Sequence, residues 1–147
     1  MKKRLLSILL AAVMLLALLP TAALAADPAT GSCGDGLTWT LTQNEDGTTY
    51  TLTISGTGAM ADYTKASDQP WYSYANAITA VTLENGVTAI GAHSLRQLTA
   101  INTPLALPRS LEKIGSCALY MAHFSAFTVD AENTAFTAEN GVLYNKD

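Results

Sequence analysis

Few residues of this chain are of types that do chemistry, and two of them, His93 and Cys117, are separated by the same interval as Ile90 and Ile114. If the chain coils with that period, the imidazole and the thiol fall on adjacent turns about 5 Å apart. Such a pair could act as a Cys-His nucleophile or as half of a metal site. Either use needs further groups, an orienting carboxylate or amide in the first case and more ligands in the second, and the spacing supplies none. The other histidine is His123, and there is no H-E-x-x-H, C-x-x-C or nucleophile-elbow sequence. Asp130, Glu132 and Glu139 lack the spacing of a calcium loop and read as a solvated face. Ser55-Gly56-Thr57-Gly58 lacks the lysine of a phosphate loop and reads as a turn. No catalytic residue, metal site or cofactor is expected, and the chain is read as a non-enzyme.

The aromatics offer a second chemistry. Trp39, Tyr63, Trp71, Tyr72 and Tyr74 stand among polar residues, and flat rings beside polar groups are what sugars stack on. Core packing accounts for most of them, because such rings bury large apolar areas. Tyr63 and Tyr72 are the two expected to stay exposed, and they are the candidate glycan contacts.

The elements that would position these residues follow a leader. Lys2, Lys3 and Arg4 precede an unbroken run from Leu5 to Leu19 that is almost wholly apolar, and Ala23-Leu24-Ala25 closes it with small residues. Together these make a secretory signal peptide over residues 1–25, with an uncleaved anchor as the alternative, since a spanning helix wants about 20 apolar residues. Cleavage would remove all three of those basic residues and none of the acidic ones, so the formal charge would become more negative than the −4 of the full chain. A surface of that sign argues against nucleic acid, whose phosphates need basic groups. After cleavage no membrane contact is expected, and the product should be a monomer. Export would carry Cys33 and Cys117 into an oxidising compartment, where a bridge would need their Cα atoms within about 7 Å. The sequence does not decide that point.

Residues 26–77 then read as a cap, opening on a short polar leader from Asp27 to Ser32. Leu37, Trp39 and Leu41 alternate with threonines, as do Tyr50, Leu52 and Ile54, and Asn44, Asp46 and Gly47 supply a turn between them. That pattern predicts a β-hairpin with one apolar face, which must lie against something else. Pro70 predicts a short helix capped by Asp68 or Gln69, with Trp71 and Tyr74 on its inner side.

Residues 78–147 read as a repeat. Ile90-Gly91 recurs as Ile114-Gly115, and at the same interval Val87 recurs as Leu111 and Leu95 as Leu119. A period in the twenties signals a solenoid. Three apolar triplets, Ile78/Val81/Leu83, Leu98/Ile101/Thr103 and Phe124/Phe127/Val129, mark its strands. Their steps are unequal, the one from Val81 to Ile101 being shorter than the one from Ile101 to Phe127. Pro104-Leu105-Ala106-Leu107-Pro108 is therefore read as an insertion, and Gly86, Gly91 and Gly115 as turns. Asn140-Gly141 predicts a closing hairpin.

These motifs taken in order resemble the BspA-like leucine-rich-repeat proteins that bacteria secrete or display. The resemblance is carried by Cys33-Gly34-Asp35 with Leu37-Thr38-Trp39, by Leu52-Thr53-Ile54-Ser55-Gly56-Thr57-Gly58-Ala59-Met60 and by Pro70-Trp71-Tyr72-Ser73-Tyr74. Gly86-Val87-Thr88-Ala89-Ile90-Gly91 and Glu139-Asn140-Gly141-Val142-Leu143-Tyr144 complete it. Ser94-Leu95 and Ala118-Leu119 depart from it, standing where the family usually has Ala-Phe. The resemblance implies a β-rich leucine-rich-repeat solenoid of about two to three coils, with a β-hairpin cap and short helical turns; with only two full turns and the start of a third, the chain reads as a natural short member or a truncated gene whose last coil is partly open.

It also implies a secreted or cell-surface protein that works by adhesion, contacting a host protein or another cell-surface ligand with the concave strand face. Alternation along the triplets puts Ala80, Thr82, Ala100, Asn102, Ala126 and Thr128 on that face. The alternatives are a glycan-binding module and a structural fragment of a larger surface protein.

Overall fold

The computed structural model describes residues 29–146, so the leader expected over 1–25 lies outside the described residues. The protein is β-rich. Its first strands, β1 (Thr30–Gly34), β2 (Leu37–Gln43) and β3 (Tyr50–Gly56), pair antiparallel in that order. Strand β1 takes in Thr30, Gly31 and Ser32, the second half of the stretch expected to be a polar leader. It adds to the hairpin edge because Thr30, Gly31 and Ser32 pair with Thr40, Trp39 and Thr38.

The β2–β3 hairpin forms as its alternation predicts. Leu37, Trp39, Leu41, Leu52 and Ile54 are buried, and Thr38 and Thr42 are exposed. Its turn is fastened by Asp46, whose Oδ1 accepts the backbone N–H groups of Thr48 and Thr49, each at 2.8 Å. The free edge of β3 then pairs in parallel with a strand of the repeat, Ile78–Leu83, with Leu52 opposite Val81 and Ile54 opposite Leu83. The hairpin thus continues the sheet of the repeat, and its apolar face lies over the same core.

From there the chain stacks parallel on itself. With β4 (Gly58–Ala59) preceding it, the Ile78–Leu83 strand is β5. Strands β4, β6 (Val87–Ile90) and β8 (Lys113–Ile114) make one ladder, and β7 (Leu105–Leu107) and β9 (Phe127–Val129) make another. Between ladders the turns also stack, with Leu95 N donating to Ala118 O at 3.0 Å and Gln97 N to Tyr120 O at 2.9 Å. A terminal hairpin, β10 (Phe136–Glu139) and β11 (Val142–Asn145), closes on Asn140 and Gly141 with φ of 51° and 81°. Both residues therefore take the left-handed conformation that a tight hairpin of this kind needs.

The register of the repeat differs from that expected. The segment read as an insertion is strand β7 itself, and Leu98–Thr103 is not a strand. Val81 and Leu83 have their counterparts in Leu105 and Leu107, at the interval that separates Ile90 from Ile114, and these in turn pair with Phe127 and Val129. The unequal steps thereby become nearly equal. Leu98 and Ile101 are buried, but in the turn beneath the strand, so their burial imitated a strand triplet. Pro104 and Pro108 stand just outside β7, where a missing N–H breaks no ladder bond. They delimit the strand rather than interrupt it.

The glycines of the period also act differently. Gly86 has a φ of 119°, as a turn position should. Gly91 and Gly115 have no left-handed φ, but a Cβ on Gly91 would strike the carbonyl oxygen of Ala61, and one on Gly115 would lie 2.5 Å from the Ala92 nitrogen. They are small because neighbouring backbones touch there. The helix expected at Pro70 is two 3-10 turns, Ala66–Asp68 and Tyr72–Tyr74, neither with a side-chain cap. Pro70 separates them. Trp71 is fully buried, meeting Trp39 edge-on at 6.0 Å and Tyr63 at 6.3 Å between ring centroids, whereas Tyr74 stays partly outside against Tyr50.

Three polar side chains tie successive turns together. Gln69 Nε2 donates to the carbonyls of His93 and Arg96 at 2.6 and 3.0 Å. Ser110 Oγ accepts from Gly86 N and donates to Val87 O, both at 2.8 Å. Buried Asn133 donates to Pro108 O and Leu111 O at 2.8 and 2.9 Å while its Oδ1 accepts from Ala135 N and Phe136 N. Each satisfies turn groups that a parallel ladder leaves over.

Candidate binding surface

The outward face of these sheets carries an ordered row of small residues, threonines with one alanine. Partner residues in a ladder point to the same side of a sheet. Thr30 lies opposite Thr40, Thr40 opposite Thr53, and Thr53 opposite Thr82. Ala106 is the counterpart of Thr82 one repeat further on and lies opposite Thr128. Strands β5 and β7 lie side by side, with Thr103 Oγ1 donating to Thr79 O at 3.3 Å. The row Thr30, Thr40, Thr53, Thr82, Ala106 and Thr128 thus crosses β1, β2, β3, β5, β7 and β9 in turn. Beside it runs a second row, Thr42, Thr51 and Ala80 by direct pairing, with Pro104 and Ala126 in the equivalent places ahead of β7 and β9. Thr38 and Ser55 add a third pair, their hydroxyls 3.0 Å apart.

Threonine suits this face twice over. Its β-branched side chain fits a pleated strand, and its hydroxyl keeps the outer surface wet while the alternate residues bury. The face carries neither bulky apolar groups nor ionised ones along its main row. It offers hydroxyl donors and acceptors over a broad, uncharged surface.

Of the residues expected on this face, Ala80 and Thr82 lie on β5, Thr128 on β9 and Ala126 directly before it. Ala100 and Asn102 do not belong to it, because they sit in the turn ahead of β7. Pro104 and Ala106 take their places. Sequence reasoning missed Ala106 because its two flanking prolines looked like loop punctuation, and missed Thr30, Thr40 and Thr53 because the hairpin was taken for a cap rather than a continuation of the sheet. The repeat interval counted on from Thr82 was the available signal.

The candidate glycan contacts part company. Tyr72 is 46 % exposed. Tyr63 is half-buried against Trp71, and burial, aided by the nearby Cys33, pushes its phenol up to about 12. It is a packing residue, because the 3-10 turns fold Trp71 beneath it.

His93 and Cys117 do occupy equivalent places in adjacent turns, with φ of 55° and 52°, and His93 N donates to Ser116 O at 3.1 Å. The imidazole is engaged elsewhere: its Nδ1 lies 3.0 Å from Arg96 Nη1, and that guanidinium sits over the Tyr120 ring at 5.0 Å. Cys117 is exposed and Cys33 buried, both as free thiols, and burial pushes Cys33 up to about 11. Glu132 pairs with Arg109 at 2.9 Å, and Asp130 accepts the Glu132 N–H. Among the described residues no three His, Cys, Asp or Glu side chains gather as a metal site would require, and no helix is long and apolar enough to cross a membrane.

No protein-family profile and no curated protein matches the chain. Among solved structures it is similar to a leucine-rich repeat protein from Eubacterium ventriosum, with 22% identity over 82% of this chain and 49% of that chain and a TM-score of 0.43. The chain spans about half the length of that protein.

Proposed function

We propose that this chain is an exported leucine-rich-repeat domain of the BspA-like kind, which binds a protein or cell-surface ligand and has no catalytic role. The observation that carries the reading is the threonine row, a broad outward face that runs over the β1-β2-β3-β5 sheet and on over the adjacent β7-β9 pair. The ordered motifs and the nearly equal parallel steps from Val81 through Leu105 to Phe127 support the repeat class, and the basic, apolar and small-residue leader supports export. Adhesion to a host or bacterial surface protein is the use such a face would have, with the domain acting as a monomer. Fold alone names no ligand.

Arginine at Thr82 or Ala106 tests the face. Both side chains are exposed, so each variant should keep its melting temperature while losing at least about tenfold in affinity for the partner, about 1.4 kcal/mol. The partner would be selected on immobilised extracellular-matrix and bacterial surface proteins. Asn102→Arg, off the face, should bind as the parent does. Equal binding by all three variants would refute the assignment.

A further inference from the structure

A second surface, built from other elements, has a different chemistry. The second 3-10 turn and the turn around residue 97 enclose a cleft of about 370 Å³ lined by Tyr72, Ser73, Ala75, Asn76, Gln97 and Thr99. We infer that this cleft binds a neutral saccharide, one pyranose ring of a bacterial or host glycan.

The polar groups there are uncommitted. Among the described residues, Gln69, Ser110 and Asn133 spend their amides and hydroxyls on neighbouring turns. Within that same set of residues, the side chains of Tyr72, Ser73, Asn76, Gln97 and Thr99 make no hydrogen bond to protein. Two amides and three hydroxyls supply both donors and acceptors, as a ligand with several hydroxyls requires. Tyr72 adds an exposed aromatic ring for the apolar face of a sugar, and buried Ala75 contributes an apolar patch.

Charge narrows the ligand. No carboxylate, lysine, arginine or histidine lines the cleft, and the neighbouring Arg96 is held by His93 and Tyr120. A carboxylated or phosphorylated ligand would find no counter-ion, whereas a neutral one needs none. The volume is at the lower end of small-molecule sites, which suits a single ring with the rest of a chain left in solvent.

The cleft is also held in shape. Tyr72 N donates to Gln69 O at 3.1 Å, Ala75 N to Tyr72 O at 3.0 Å, and Gln97 N to Tyr120 O at 2.9 Å. The backbone of its walls therefore belongs to the hydrogen-bonded frame, so binding would have side chains but no main chain to order.

The test is titration of the full chain with neutral trisaccharides of glucose, galactose, mannose and N-acetylglucosamine, followed by saturation-transfer NMR and calorimetry. At least one should bind with a dissociation constant of about 10 mM or tighter. Tyr72→Ala and Gln97→Ala should each weaken that binding at least about fivefold, with Tyr144→Ala, an exposed tyrosine on β11, leaving it unchanged. Circular dichroism of each variant checks the fold, and Tyr72→Phe should preserve most of the stacking if Tyr72→Ala proves unstable. Absence of binding by every sugar, binding indifferent to Tyr72 and Gln97, or binding only of a sialylated trisaccharide or a peptide would overturn the inference. The strand-face reading stands or falls separately, because none of these substitutions touches that face.

Discussion

At the scale of single residues, the polar side chains divide into those that hold turns and those with no hydrogen bond to protein among the described residues. Asp46 is the simplest of the first kind. The Thr49 hydroxyl, then the backbone N–H groups of Thr48 and Thr49, hold its carboxyl down at about 2 from an ordinary 3.8. Because the folded value is the lower one, its contribution to hairpin stability is full above the unfolded value and is lost as pH falls through the folded one. Carbon-13 titration of the carboxyl should show a midpoint near 2, and Thr49→Val should move it upward. A midpoint at the ordinary value in the parent would refute the turn geometry. Most such roles were illegible in the sequence. Asn44, Asp46 and Gly47 announced a turn because their local chemistry is turn chemistry. Asn133 and Ser110 gave no sign, since their partners lie a full turn of the repeat away along the chain. Tyr63 misled for the same reason: nothing local says that Trp71 will fold beneath it.

At the scale of elements, the hairpins and the repeat interval were legible because alternation and repetition are local signals. Register was not. Leu98 and Ile101 are apolar at strand spacing and are buried, so pattern alone could not separate them from Leu105 and Leu107. What decides is the parallel pairing of β7 with β9, a contact between distant parts of the chain. The same close stacking sets what the turns tolerate. Gly115→Ala should destabilise the protein by about 1–3 kcal/mol, because a methyl group must displace backbone rather than a flexible side chain. Asn133→Ala, which takes the acceptor from the Ala135 and Phe136 N–H groups and a donor from Leu111 O, should cost about 1–3 kcal/mol. Urea denaturation followed by circular dichroism checks both. A neutral result at either position would mean that the turns are not packed as described.

At the scale of the whole molecule, the hairpin strands and the repeat strands form one outward surface over one core. Sequence reasoning divided cap from repeat because antiparallel and parallel strands have different signatures, yet β3 belongs to both kinds of pairing. The candidate face is larger than either part alone would suggest, and under the proposed function partner contacts centre on Thr82, Ala106 and Thr128. The most direct measurement is site-specific photocrosslinking on the full chain, with a benzophenone amino acid placed in turn at those three positions, at Asn102 and at Glu45 in the exposed hairpin turn. One discrete protein adduct is expected from Thr82, Ala106 and Thr128 and none from Asn102 or Glu45. Adducts of equal yield from all five positions, or none from the three on the face, would contradict it.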